Sequence, residues 1–212
     1  MKKTRRLLAL LLAMVMMLAL TVTAGAEEVT TTAAKNEITV IYTNDVHTYI
    51  DKTLSYATVS AMKQDYQKAG KQVLLVDAGD HIQGTAYGGM DEGKTIVQLM
   101  NAAGYDLGTL GNHEFDYGMA RALATVQEAK FPYVSCNFYH EKNGVVGDPV
   151  LDSYKVFDMN GTKVAFVGIT TPESFTKSTP AYFQDANGKY IYGIAAGKDG
   201  SALYAAVQKA ID

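Results

Sequence analysis

The feature that most constrains the fold is a regular alternation of short apolar, β-branched segments with longer amphipathic segments along residues 37–138. The first pair is "EITVIYT" at 37–43, which is typical of a buried strand, and residues 55–70, whose apolar side chains recur at helical spacing before Gly70. Strands that alternate with helices of about ten or more residues form βαβ units with parallel strands and right-handed crossovers. The sequence therefore predicts an α/β fold. Further strands are predicted at 71–77, 105–111 and 131–138, and further helices at 94–104 and 119–130.

Beyond residue 138 the pattern indicates antiparallel structure. The segments "SYKVFDM" at 153–159 and "TKVAFVGIT" at 162–170 flank Asn160 and Gly161, a dipeptide favoured in two-residue hairpin turns. The polar stretch "NFYHEKNG" at 137–144 is predicted to be a loop, and the glycine-rich residues 171–200 a surface excursion before a helix that begins at Ser201. The predicted fold is thus mixed, with β-sheets flanked by helices.

Polar clusters follow three consecutive predicted strands. Asp45 and His47 lie in "TNDVHTY", Asp80 lies in "VDAGDHIQGT", and the third loop is "LGNHEFDYG" at 110–118. The carboxyl ends of neighbouring parallel strands lie along one edge of a sheet, where ligands bind. We therefore expect the three loops to converge.

These loops carry carboxylate, amide and imidazole groups, which are ligands for Zn, Mn, Fe and similar divalent ions. The sole cysteine, Cys136, lies outside them, so a structural zinc site built on thiolates is excluded. Two such ligand clusters that share a carboxylate form a two-metal centre, which polarises a phosphoryl group and activates water for attack. Taken singly, each residue is equally well explained as a turn or cap residue. Their order and spacing together favour phosphoester hydrolysis.

Three short motifs resemble the first three motifs of the calcineurin-like metallophosphoesterases. They are D-x-H at residues 45–47, G-D at 79–80 and G-N-H-E at 111–114. The longer matches "IYTNDVHTYI", "DAGDHIQGT" and "LGNHEFDYG" resemble the secreted 5′-nucleotidase and 2′,3′-cyclic-nucleotide 2′-phosphodiesterase branch. The resemblance extends from about Glu37 to Thr170, and three motifs in order are a specific signal.

The resemblance implies a metal centre with two divalent ions, Zn, Mn or similar. Asp45 and His47 would hold the first ion, Asp80 would bridge both ions, and Asn112 would hold the second. The implied substrate is a nucleotide or a related small phosphoester.

The resemblance also implies a catalytic pair beside the metals. His113 would act on the substrate rather than on a metal, stabilising the phosphoryl oxygens or protonating the leaving alkoxide, and Asp116 would orient its imidazole. Glu114 and Phe115 would be supporting positions. His81 is not required by the motif, and we expect it to support the site or to face solvent.

The family also completes its site with a histidine on a later strand and a G-H-x-H motif, and neither is found here. The only histidine after His113 is His140, which has no glycine-histidine context. The domain with which the family binds the nucleoside is missing as well. We therefore expect residues 37–212 to be the N-terminal part of a larger catalytic domain. The alternative is a catalytically incompetent module that binds metal or phosphate with a partial site.

The N-terminus has the layout of a secretory signal peptide. Four basic residues precede the apolar stretch 7–22, and the small residues "TAGA" then precede Glu27. Cleavage is predicted after Ala26, with residues 27–36 as a flexible leader and an extracytoplasmic location. A retained anchor is the alternative, but the apolar stretch is shorter than a bilayer span of about 20 residues. The export route stays open, because Arg5 and Arg6 also suit the twin-arginine pathway.

Charge limits the partners of the mature chain. Removing residues 1–26 leaves 15 basic and 22 acidic residues, so the formal net charge changes from −3 to −7. A nucleic-acid groove or an anionic membrane surface requires clustered basic residues, and no such cluster follows the signal. We therefore expect a small-molecule substrate, no nucleic-acid polymer and no stable membrane insertion after cleavage.

Overall fold

The first three predicted strands form a parallel sheet in the computed structural model, which describes residues 37–212. The signal peptide and the leader predicted for residues 1–36 lie outside the described residues. The strand order is β1-β2-β3, so each strand is hydrogen-bonded to the next one along the chain. The predicted α/β arrangement is confirmed. The strands are β1 (Ile38–Thr43), β2 (Gln72–Asp77) and the two-residue β3 (Leu107–Gly108).

Helices connect these strands, as the periodicity predicts. The first helix begins after Ser55, whose hydroxyl accepts a hydrogen bond from the backbone N–H of Thr58 at 3.4 Å. The third ends at Gly104, which has the left-handed conformation (φ 79°) typical of a helix C-terminus. The helices are α1 (Tyr56–Lys68), α2 (Ala86–Gly89), α3 (Lys94–Ala103) and α4 (Met119–Glu128).

The fourth predicted strand, at residues 131–138, is not a continuous strand. Tyr133 forms one isolated parallel bridge with Gly108, and Val134 forms another with Asp152. Pro132 has no N–H group, and its carbonyl accepts the hydrogen bond from Gly108 at 3.0 Å. The chain then leaves the parallel sheet for a second, antiparallel one.

The polar stretch predicted as a loop forms part of that second sheet, so the prediction was wrong there. His140 lies on β4, and the turn between β4 and β5 is Asn143–Gly144, both with positive φ. This is the same dipeptide as in the predicted hairpin at Asn160–Gly161, which is confirmed. The second sheet has the order β5-β4-β8, and the hairpin is a separate two-stranded sheet. These strands are β4 (Phe138–Lys142), β5 (Val145–Pro149), β6 (Tyr154–Met159), β7 (Thr162–Val167) and β8 (Tyr192–Ile194).

The predicted surface excursion at 171–200 contributes to the core. Phe183 is fully buried, with its ring 5.0 Å from that of Phe115 and 4.4 Å from that of Phe175. The aromatic residues of this polar stretch show no sustained periodicity, so the sequence pattern does not reveal which of them is buried. The predicted final helix is present. The elements after β7 are α5 (Ser174–Lys177), a 3₁₀ turn (Pro180–Phe183), β8 and α6 (Ser201–Ile211). Within residues 37–212, no helix combines the length and the apolar character needed to cross a bilayer.

The inner face of α1 contains a buried ion pair instead of one of the predicted apolar side chains. Met62 is 41% exposed, whereas Lys63 is buried. The Nζ atom of Lys63 donates to the carbonyl of Gly104 and to Oδ2 of Asp106, both at 2.6 Å. Asp106 also accepts from the backbone N–H of Leu75 at 2.7 Å. The pair therefore ties α1 to the sheet.

Replacing Lys63 with methionine should lower the free energy of unfolding by about 2–4 kcal/mol, because it leaves Asp106 without its charged partner. The matched control is Lys68→Met on the same helix, where the pair with Asp65 is exposed and 3.4 Å long. That change should cost at most about 1 kcal/mol. Chemical denaturation of both variants measures the difference, and equal losses would contradict the role of Lys63.

The ion pair between Arg121 and Glu128 on α4 should make stability depend on acid pH. The hydrogen bond from Arg121 lowers the pKa of Glu128 below its ordinary value of 4.5. A carboxyl with a lowered pKa in the folded state stabilises the fold above its ordinary pKa, and this contribution is lost as pH falls through the lowered value. Thermal unfolding should therefore show a steeper loss of stability below pH 4.5 in the wild type than in Glu128→Gln. Parallel curves would rule out this contribution.

Candidate metal centre

The loops after β1 and β2 are joined through their backbones. The N–H of Asp45 donates to the carbonyl of Gly79 at 3.2 Å, and the N–H of His47 donates to the carbonyl of Asp80 at 3.0 Å. Asp45, His47 and Asp80 all have left-handed backbone conformations, with φ of 53°, 46° and 59°. This conformation is unfavourable for residues other than glycine, and clusters of it occur at functional sites. The surrounding hydrogen bonds hold the two loops in this arrangement.

The loop after β3 packs directly against the loop after β2. A Cβ atom at Gly79 would lie 2.4 Å from the backbone nitrogen of Gly111, and one at Gly111 would lie 2.3 Å from Oδ1 of Asp80. Neither position has room for a side chain, so this close approach depends on glycine at both. Gly79 of the G-D motif and Gly111 of the G-N-H-E motif are therefore both needed for the two loops to pack together.

Glu114 ties the second and third loops together with a fully buried carboxylate. One oxygen accepts from the N–H groups of Gly111 at 2.7 Å and Asp80 at 2.9 Å, and the other accepts from His81 at 2.8 Å. The side chain therefore fixes the backbone on both sides of the candidate site. This is the supporting position that the resemblance implied.

Exchanging Glu114 for glutamine should lower the free energy of unfolding by about 1.5–3 kcal/mol. The new amide would present N–H groups to backbone donors that now share a carboxylate. Glu173→Gln is the matched control, because Glu173 forms an exposed ion pair with Lys177. It should change stability by at most about 1 kcal/mol, and an equally small effect at Glu114 would contradict its bridging role.

The three loops bring a carboxylate and two imidazoles together. Ligand atoms of His47, Asp80 and His113 all lie within 4.8 Å of one another. Nδ1 of His47 is 3.0 Å from the carbonyl oxygen of Gln83, which fixes that nitrogen as a donor and leaves Nε2 with a free lone pair. Asp45 lies beside this nitrogen, with Oδ1 3.6 Å from Nε2 of His47. These donors fit a divalent ion such as Zn or Mn.

The electrostatic environment of the Asp80 carboxylate also favours binding of a cation. Burial raises the pKa of Asp80 above its ordinary value, and the charges of Glu114 and Asp45 raise it further. The N–H of His113 opposes this effect by donating to Oδ1 of Asp80 at 2.7 Å. A bound cation would relieve the repulsion between these carboxylates and favour the charged form.

Asn112 has a buried side-chain amide whose role is not explained by its contacts with the surrounding residues. The residue is 7% exposed, and its Nδ2 atom has no hydrogen-bond partner among residues 37–212. Buried polar groups normally have a partner, and the oxygen and nitrogen of an amide can exchange places by rotation. An amide oxygen directed to this position could bind an ion, which is consistent with the predicted role of Asn112.

His113 and Asp116 form the predicted pair. Nδ1 of His113 lies 2.6 Å from Oδ2 of Asp116, and both side chains are partly exposed. The imidazole rings of His113 and His47 meet edge to face, with centroids 4.8 Å apart. The structure thus places His113 near the candidate ligands, whereas the resemblance assigned it to the substrate. Its role stays a prediction.

The remaining two histidines are engaged elsewhere. His140 is exposed, and its ring packs on Tyr192 with centroids 5.0 Å apart. His81 is fully buried, so a role at the solvent surface is excluded. Burial lowers the pKa of His81, but the carboxylates of Glu114 and Asp77 outweigh burial and raise it to about 9. Asp77 was not among the residues predicted from the sequence, although its position at the end of β2 was a signal.

A family model described as calcineurin-like phosphoesterase matches residues 38–193. A snake venom 5′-nucleotidase from Gloydius brevicauda is 32% identical over 165 residues, which is 70% of this chain and 28% of the relative. A 5′-nucleotidase from Homo sapiens is 34% identical over 162 residues, with 68% and 28% covered. The chain thus spans less than a third of the length of these relatives.

Solved structures show the same similarity. A calcineurin-like phosphoesterase YfkN from Bacillus subtilis superposes with a TM-score of 0.60 and 26% identity, covering 81% of this chain and 58% of that one. A 5′-nucleotidase precursor from Thermus thermophilus gives a TM-score of 0.59 and 26% identity, with 80% and 34% covered. The match of the family model to most of the chain, together with these structures, shows that the chain belongs to the calcineurin-like phosphoesterase family.

Proposed function

We propose that this chain is the N-terminal catalytic part of a metal-dependent phosphomonoesterase that hydrolyses nucleotides, as a 5′-nucleotidase does. The observation that carries the proposal is the convergence of His47, Asp80 and His113 at the carboxyl ends of β1–β3, with ligand atoms within 4.8 Å of one another. The relatives named 5′-nucleotidases support the substrate class.

In this proposal the site would take two divalent ions. Asp45 and His47 would hold the first, Asp80 would contribute to both, and Asn112 would hold the second. When bound, the ions would polarise the phosphoryl oxygens and activate water for attack. The N–H of His113 donates to the side chain of Asp80, and the carboxylate of Glu114 accepts from its backbone N–H. The carboxylate of Asp80 is therefore held in place before an ion binds.

His113 supplies the proton for the leaving group. Water adds to phosphorus, the ester P–O bond breaks, and the imidazole gives its proton to the departing alkoxide, which leaves as the nucleoside hydroxyl. Asp116 accepts the N–H of the opposite ring nitrogen and so stabilises the charged imidazolium. The products are a nucleoside and orthophosphate.

The proposal includes export and a small-molecule substrate. The signal-peptide pattern predicts cleavage after Ala26 and an extracytoplasmic location. The acidic balance of the mature chain argues against a nucleic-acid polymer as partner.

Chelation tests the hydrolase directly. In the full-length protein, dialysis against EDTA should abolish hydrolysis of AMP, and Mn²⁺ or Zn²⁺ should restore it. If the EDTA-treated protein regained activity with Mg²⁺ but not with Mn²⁺ or Zn²⁺, the proposed ligand set would be contradicted. Mg²⁺ prefers oxygen ligands and water to imidazole. Hydrolysis that survives chelation would contradict the metal-dependent mechanism.

A second candidate is a metal- or phosphate-binding module with a partial site. It is favoured because both ring nitrogens of His81 are engaged by Asp77 and Tyr133 and His140 packs on Tyr192, which leaves few strong ligands for a second ion within residues 37–212. We propose that residues 27–212 alone bind at most one divalent ion tightly and hydrolyse AMP or an aryl phosphate negligibly. Calorimetric titration gives the stoichiometry. Efficient hydrolysis by this segment would show that its own residues complete the site.

A further inference from the structure

A buried polar chain lies directly behind the Asp80 loop. His81 and Tyr133 are fully buried or nearly so, and Nε2 of His81 lies 2.8 Å from the hydroxyl oxygen of Tyr133. On the other side of the ring, Nδ1 of His81 lies 2.8 Å from Oδ1 of Asp77. Both ring nitrogens are therefore engaged, and neither is available to a ligand.

Asp77 connects this chain to the first two loops. The same Oδ1 atom accepts from the backbone N–H of Gly79 at 2.8 Å, and Oδ2 accepts from the hydroxyl of Thr43 at 2.5 Å. Thr43 is the last residue of β1, and Gly79 precedes Asp80. The carboxylate thus links the end of one strand to the loop that carries the candidate bridging ligand.

Glu114 approaches the same ring nitrogen of His81 as Asp77 does. Its Oε1 atom lies 3.4 Å from Nδ1 of His81 and accepts the backbone N–H of His81 at 2.8 Å. His81 is therefore held by its backbone and by both ends of its side chain. Two buried carboxylates face one imidazole. Removing the ring would leave them their backbone and hydroxyl donors but would take away the side-chain donor that they share.

The residue held most directly by this arrangement is Asp80. Its left-handed backbone (φ 59°) is unfavourable for a residue other than glycine and persists only when neighbouring groups hold it. We propose that His81 is a positioning residue, which fixes the Asp80 loop so that its carboxylate faces a divalent ion. The inference rests on the proposed function, because it takes Asp80 as a metal ligand. His81 itself touches neither metal nor substrate.

The test compares Mn²⁺ affinity with stability in the full-length protein. His81→Leu should weaken Mn²⁺ binding about 10- to 100-fold, the usual effect of losing a group that supports a ligand. His81→Asn keeps a donor near the position of Nδ1 and should recover most of the affinity. His140→Leu is the matched control, an exposed histidine that should leave affinity unchanged. Tyr133→Phe removes one hydroxyl and should weaken binding less, which provides a second variant if His81→Leu does not fold.

Calorimetry gives the dissociation constants, and thermal unfolding of the metal-free proteins gives their stability. A purely structural His81 would lower the unfolding midpoint and leave the Mn²⁺ dissociation constant unchanged in both His81→Leu and Tyr133→Phe. That result would overturn the positioning role while the proposed function stands. Failure of the wild type to bind Mn²⁺ or Zn²⁺ would overturn the metal site, and the positioning role with it.

Discussion

Replacing Asp80 by alanine is expected to abolish tight binding of divalent ions and to reduce nucleotide hydrolysis by the full-length protein to background. A carboxylate that bridges two ions contributes to both, so its loss removes the only negative charge shared by the two positions. The structure adds a second reason. Oδ1 of Asp80 accepts the N–H of His113 at 2.7 Å, so the same substitution releases the loop after β3.

Two further variants separate charge from hydrogen bonding. Asp80→Asn keeps an acceptor for the N–H of His113 but loses the charge, and it should bind metal almost as poorly as the alanine variant. Asp51→Ala changes an exposed carboxylate near the first loop and should bind metal like the wild type. Metal content measured by mass spectrometry after gel filtration decides the outcome. Full metal occupancy in Asp80→Ala would contradict the bridging role.

Replacing His113 by alanine is expected to slow turnover by about 10²- to 10⁴-fold while the metals stay bound. The hydrogen bond of 2.6 Å from the imidazole to Asp116 is the geometry of an oriented general acid. Asp116→Asn should show a smaller loss of turnover in the same direction, because the ring remains but its charged form loses its partner. Turnover and metal content should therefore separate in His113→Ala and fall together in Asp80→Ala.

The structure makes this a demanding test. A nitrogen of His113 lies in the same cluster as the ligand atoms of His47 and Asp80, which would also suit a metal ligand. If His113→Ala loses its metals as completely as Asp80→Ala, then His113 is a ligand, and its assignment as proton donor is wrong. Retained metal with unchanged turnover would contradict both roles.

The parallel sheet was predictable because its signals are local. Helical and strand periodicity predicted β1, α1 and β2, and Gly70 and Gly104 marked the ends of α1 and α3. Asn160–Gly161 predicted one hairpin correctly. The same signal at Asn143–Gly144 did not lead to a prediction, because the residues of β4 next to it are polar and β5, although it begins with two valines, is exposed throughout. A strand without an apolar face carries no alternation to detect.

The convergence of the three loops followed from sheet topology, but their internal support did not. Tyr133 meets His81 across 52 positions of sequence, and no periodicity connects the two residues. The left-handed backbones of Asp45, His47 and Asp80 are equally hidden, because glycine is the usual sequence signal for that conformation. Sequence therefore predicted which groups meet, and the structure revealed what holds them there.

The central claim is that the three strand-end loops form a divalent-metal centre. The most direct measurement is a crystal structure of the protein grown with Mn²⁺, with diffraction data collected on both sides of the manganese absorption edge. We predict an anomalous peak within bonding distance of Asp80 and of the Nε2 atom of His47, at about 2.0–2.3 Å, the range typical of carboxylate and imidazole ligands. Anomalous peaks located only elsewhere on the protein, with none between His47 and Asp80, would contradict the account.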